Sequence, residues 1–155
     1  MTQIPLFQPP SEWTPPEKVP NLSEAKEIAV DLETYDPDIK TNGPGWAIDN
    51  GYIAGVAIAV EGWKGYFPIR HEGGGNFDEG ILKRQIQKIM DLPCDKIFHN
   101  ASYDVGWLRW WGVEVKGKII DTLIAAPLID ENRFRYSLNE LGKDYLKDTK
   151  SEALL

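Results

Sequence analysis

The segment EIAVDLET, residues 27–34, constrains the fold more than any other part of the chain. A short run of apolar and β-branched residues predicts a buried strand. That run ends in Asp31 and Glu33, and residues two apart on a strand point to one face, about 6.6 Å apart along the chain. Leu32 then faces the opposite way, into a core, while the small side chain of Ala29 leaves room beside the acids. Such a strand fits the centre of a sheet. Its acidic end is either solvated or one wall of a cation site.

The remaining elements are read from periodicity and punctuation. GYIAGVAIAV and KGYFPI read as two strands joined by the short turn EGWKG. Residues 77–91 place Ile81, Ile86, Ile89 and Met90 at near-helical spacing, with Asn76 as N-cap. DKIFH is a short buried strand, and NASYDVGWLRWWG reads as a helix ending at Gly112. GKII is a further strand. DTLIAAPLID and SLNELGKDYL are two helices with Asp121 and Ser137 as N-caps. The order β-β-β-α-β-α-β-α-α predicts an α/β fold, a mixed sheet with three leading strands and then alternating helices and strands, flanked by helices.

Residues 1–22 hold six of the eleven prolines and read as an extended arm or linker, in which Phe7 and Trp13 could pack onto the domain or a partner. Residues 23–155 form the domain, and the whole length suits a single core. Cys94 is the only cysteine, so an internal disulfide is excluded. No apolar run approaches the roughly 18 residues of a membrane span, and no secretory signal opens the chain. The expected location is the cytoplasm. A formal charge of −7 argues against a simple basic nucleic-acid binder. It leaves room for an enzyme that meets phosphates through divalent cations held by carboxylates.

A lone Asp-x-Glu is a cheap motif. Its weight comes from a third carboxylate in a matching setting, Asp104. Asn100 and Asp104 are four residues apart and share a face near the start of a helix, whose N-terminus favours an anion. The preceding strand delivers that helix start to one edge of the sheet. Oxygen donors of this kind suit Mg²⁺ or Mn²⁺, and one Cys with two His argues against a zinc cluster. Among other conspicuous residues, HEGGGN (71–76) lacks a following Lys-Ser/Thr and reads as a loop, not a phosphate cradle. Trp107, Leu108, Trp110 and Trp111 read as core, and His99 as a satisfied strand-end residue. RFR (133–135) reads as solvated surface. Trp46, after the acidic strand, is the aromatic best placed to stack on a base.

Taken together, VDLET, HNASYD, IIDTLIAAPLID and SLNELGKDYL resemble the 3′–5′ exonuclease (proofreading) domain of family A DNA polymerases, and YFPIRHEGGGN resembles bacteriophage members. This domain belongs to the DnaQ-like, ribonuclease H-like superfamily. The resemblance runs from about residue 27 to the C-terminus. It implies two-metal hydrolysis of 3′-terminal nucleotides from single-stranded DNA ends, with two Mg²⁺ (or Mn²⁺) ions held by Asp31, Glu33 and Asp104 as catalytic and metal residues. It further implies that Thr34 and Asn100 contact the substrate.

The family's third motif, an Asp preceded four or five residues earlier by Tyr or His, has no match here. Tyr145 before Asp148 has the wrong spacing and comes too early. The resemblance therefore implies a C-terminally truncated domain, with the last motif and a polymerase domain beyond it in a parent protein, and little activity from this chain alone. A 3′–5′ exoribonuclease of the same superfamily is the competing enzyme reading. A non-catalytic nucleic-acid-binding or structural module is the competing reading of another class.

Overall fold

The computed structural model describes residues 14–147. Phe7, Trp13 and Asp148 lie outside the described residues. Five strands, β1 (Glu27–Tyr35), β2 (Tyr52–Val60), β3 (Trp63–Pro68), β4 (Asp95–Phe98) and β5 (Ile119–Asp121), form one sheet in the order β3-β2-β1-β4-β5. β1 pairs antiparallel with β2 and β2 with β3, whereas β1–β4 and β4–β5 are parallel. The mixed sheet with β1 at its centre is the one expected from the element order.

Two four-residue helices, α1 (Ile39–Asn42) and α2 (Gly45–Ile48), occupy the loop after β1 and have no counterpart in the sequence reading. Too short for periodicity, they are tied down by polar side chains. Asp36 accepts from the Gly45 amide at 3.0 Å, and Asn50 donates to Asp38 at 2.8 Å. Beyond β3 come α3 (Glu79–Met90), α4 (Ala101–Trp110), α5 (Thr122–Ile129), α6 (Leu138–Leu141) and a π-helical turn at Gly142–Leu146.

The core lies on one face of the sheet. Ile28, Val30 and Leu32 of β1 point into it and meet Leu82, Ile86, Ile89 and Met90 of α3, with Trp107 and Leu108 of α4. Leu22 also reaches this core, so the residues just before β1 join the packing. The α3 stripe at 82, 86, 89 and 90 corrects the expected phase, since Ile81 is half exposed and Leu82 takes its place. The N-cap shifts too. Phe77 donates its amide to the Pro68 carbonyl and stays extended, so Asp78, not Asn76, accepts from the Ile81 amide at 2.8 Å. Trp107, Leu108 and Trp111 are buried as expected, and Gly112 closes the α4 end at φ 88°.

Lys96 is the unexpected core residue. It is fully buried on β4, and its Nζ donates to the carbonyls of Leu92 at 2.5 Å, Cys94 at 3.0 Å and Lys116 at 2.8 Å. A buried ammonium is tolerable only with such a shell of acceptors. It fastens the turn before β4 to the loop leading into β5.

Candidate active site

The face of the sheet opposite the core carries the acids. Ala29 and Asp31 of β1 line a groove of about 630 Å³ with Ala57 and Ala59 of β2, Tyr66 of β3, and His99 and Thr122. The alanines make the groove by being small. Asp31, Ala57 and Tyr66 form one cross-strand row, and Glu33, Gly55 and Pro68 form the next. The register shifts between Glu33 and Thr34, a bulge that ends regular pairing just past the second acid and re-aims the residues beyond it.

Asp31 and Glu33 are both partly exposed, as donors to a cation must be. Both bear on Tyr66, whose phenol is pushed up first by burial and then by the charges of Glu33 and Asp31. The two acids share one face of β1, in neighbouring cross-strand rows, and both charges reach the Tyr66 hydroxyl.

Asp104 sits in the first turn of α4 and is 3% exposed. Because β4 runs parallel to β1, the α4 start leaves the sheet at the end where β1 carries its acids. Among the described residues, no group of three or more His, Cys, Asp or Glu side chains is gathered closely enough to hold a metal ion. The structure thus brings Asp31 and Glu33 together and places Asp104 at the same end without closing a three-ligand cluster. The donor set still fits Mg²⁺, which is commonly held by one or two carboxylates with waters and substrate phosphates completing its shell.

Asn100 is the α4 N-cap residue in the left-handed region, φ 72°, a conformation Asn tolerates. It is exposed, and its Oδ1 accepts from Ser102 Oγ at 3.3 Å. Replacing Asn100 by Gly should leave stability within about 0.5 kcal/mol, whereas Ala should cost about 1 kcal/mol through its strained φ. Urea unfolding of the two variants separates them. Thr34 is not idle: Tyr103 donates its hydroxyl to Asp36 at 2.9 Å, so Thr34 Oγ1 donates to the Tyr103 oxygen at 2.8 Å. Burial pushes the Tyr103 phenol above its ordinary value, which keeps it protonated in this role.

Asp121 does more than cap its own helix. Its carboxylate accepts from Leu123 at 2.9 Å, and also from the amides of Asn100 at 2.9 Å and Ala101 at 2.8 Å. The pairing of Phe98 with Asp121 brings it there. One carboxylate therefore holds the start of the helix that carries Asp104. Asp121→Ala should cost about 2 kcal/mol, a fall of about 6 °C in melting midpoint for a domain this size, read by calorimetry.

His99 is satisfied on one side. Thr122 Oγ1 donates to the Phe98 carbonyl at 3.1 Å, so His99 Nδ1–H donates to Thr122 at 2.9 Å. Trp46 packs on α4: a Cβ at Gly106 would stand 2.3 Å from its ring, so α4 needs glycine there to seat it, and the ring stays partly exposed. Of RFR, Phe134 and Arg135 are exposed as expected, whereas Arg133 is partly covered. It pairs with Asp144 at 2.5 Å and lies over the Tyr145 ring. Tyr66, which feels both acids and is held by His71, is the residue that spacing alone did not reveal.

A mixed five-stranded sheet with an acidic central strand and a carboxylate-bearing helix at the same edge defines an α/β, ribonuclease H-like fold. Brucella melitensis NrnC, in its structure with bound Mg²⁺, superposes with a TM-score of 0.62 at 20% identity, over 86% of this chain and 61% of that one. The family model described as 3′–5′ exonuclease matches residues 15–153, and the chain belongs to that family, the exonuclease domain of family A DNA polymerases. It is 38% identical to a DNA-directed DNA polymerase of Pseudomonas phage M6, over 99% of this chain and 24% of the relative. It is 33% identical to DNA polymerase DpoZ of Salmonella phage PMBT28, over 84% of this chain and 19% of the relative. The chain thus spans about a quarter or less of the length of these polymerases. Among the described residues, no helix is long and apolar enough to cross a membrane.

Proposed function

We propose that this domain removes 3′-terminal nucleotides from single-stranded DNA ends in a metal-dependent reaction, as the proofreading part of a DNA polymerase. The observation that carries the reading is that Asp31 and Glu33 share the open face of the central strand, with the α4 start bearing Asp104 at the same edge. Asp31, Glu33 and Asp104 would hold two Mg²⁺ or Mn²⁺ ions. Bound there, the ions would activate water for in-line attack and neutralise charge on the leaving 3′-oxygen.

The chain's own groups supply the rest. β1 pairs with β2 at Asp31 and Glu33 and with β4 at Glu27–Ala29, which holds the strand that carries the acids against recoil. Asp121 fixes the start of α4, and the hydrogen-bond chain from Thr34 through Tyr103 to the Asp36 carboxylate fixes the bulge beyond Glu33. Such rigidity favours charge that develops only in the transition state. Thr34 and Asn100, both at this edge, would meet the terminal nucleotide.

Substrate preference is tested with the full-length protein on three 5′-labelled substrates: a primer-template with a mismatched 3′ end, its matched twin, and an RNA strand of the same sequence. Proofreading predicts Mg²⁺-dependent trimming of the mismatched end at least about tenfold faster than of the matched end, since unpaired ends need no melting. Faster trimming of RNA than of the mismatched DNA would support the exoribonuclease reading instead.

A further inference from the structure

Tyr66 and His71 form a built device beside the acids that the metal-site reading leaves unused. Tyr66 leaves β3 in the row of Asp31 and Ala57, but its hydroxyl crosses to the next row. An added Cβ at Gly55 would stand 2.0 Å from that hydroxyl, and Gly55 is the cross-strand partner of Glu33. Glycine is required there because the phenol occupies its side-chain space. The hydroxyl thus rests over the backbone directly opposite Glu33.

The far side of the hydroxyl is held as well. His71 Nε2 lies 2.6 Å from it, with the two rings edge to face at 5.6 Å. His71 in turn is clasped at its backbone: its amide donates to Asn76 Oδ1 and its carbonyl accepts from Asn76 Nδ2, both at 2.8 Å. Asn76, expected as a helix cap, instead closes the glycine-rich loop 71–76 and sets the imidazole against the phenol. Burial and the neighbouring negative charges favour the protonated phenol.

A phenol has one proton to donate, and a carboxylate is a stronger acceptor than a neutral imidazole. We propose that Tyr66 is a positioning residue for the exonuclease site: His71 Nε2–H donates to its oxygen, and its own O–H donates to Glu33, fixing that carboxylate toward the cation. Such an outer hydrogen bond orients a metal-binding carboxylate and tunes its affinity. The inference rests on the metal-site reading of Asp31 and Glu33.

The test uses the full-length protein and Tyr66→Phe, which keeps the ring over Gly55 and removes only the hydroxyl. Mn²⁺ affinity, by electron paramagnetic resonance, should weaken at least about threefold. The kcat on a 5′-labelled single strand should fall about tenfold with KM for DNA within about twofold, and the melting midpoint should not move. The double variant Tyr66→Phe/His71→Ala should be no slower than Tyr66→Phe, because His71 acts only through the phenol. Unchanged Mn²⁺ affinity and kcat in Tyr66→Phe, or additive losses in the double variant, would overturn the proposal. A wild-type protein without nuclease activity, but with Mn²⁺ affinity lowered by Tyr66→Phe, would sink the nuclease reading and support the positioning role.

Discussion

Asp31→Asn in the full-length protein is expected to lower Mg²⁺-dependent release of 3′-terminal nucleotides by about 10³-fold while leaving the fold intact. The side chain is partly exposed on the groove face, flanked by Ala29 and paired across the sheet with Ala57. Asn fills the same volume without clash and can satisfy its neighbours by hydrogen bonding. What it removes is the negative charge. An amide is a weak partner for a hard divalent cation, and losing the positive charge that such a cation would place at a developing oxyanion costs of order 10²–10³ or more in rate. Steady-state rates at saturating DNA, with circular dichroism melts of both proteins, check the two halves of the expectation. A loss of less than about tenfold would mean that Asp31 is not the central ligand.

Lys96→Met should be the most destabilising single change outside the apolar core, at about 3 kcal/mol. Methionine matches the length of the stem but leaves the carbonyls of Leu92, Cys94 and Lys116 without the donor that now serves all three. Each buried acceptor stripped of its partner costs about 1–3 kcal/mol, partly offset because the buried ammonium and its desolvation also disappear. At about 3 °C per kcal/mol, the melting midpoint should fall by about 9 °C. Because Lys96 lies near the start of β4, away from the strand end that leads to α4, kcat at 20 °C should stay within about twofold of wild type. Calorimetry and rate assays on the same preparation decide it. A midpoint shift under about 2 °C would show the carbonyl cage to be dispensable.

The central strand was legible because one stretch carries both its signals, apolar residues facing one way and acids the other. The helix caps at Asp121 and Ser137 were legible for a similar reason, each preceding an apolar run, and each accepts the expected amide. The features that escaped depend on pairing between distant segments. That Asp121 also caps α4 is set only by the parallel register of β4 and β5, which no local pattern encodes. Tyr66 reaches the acids because Gly55 stands opposite Glu33, a fact of register again. Trp46 looked available for stacking, but Gly106 leaves it a seat on α4. Asn76 and Asp78 are both good caps in sequence, and the backbone bond from Phe77 to Pro68 decides between them. The carboxylates were thus readable as chemistry, whereas the parts that hold them in place required the fold.

The most direct measurement is a time course of the full-length protein on a 5′-labelled single-stranded DNA, with Mg²⁺ and with excess chelator. Stepwise shortening from the 3′ end is expected, one nucleotide at a time, abolished by chelator and by Asp31→Asn. Shortening that survives chelation, internal cuts before terminal ones, or an unaltered strand would contradict it.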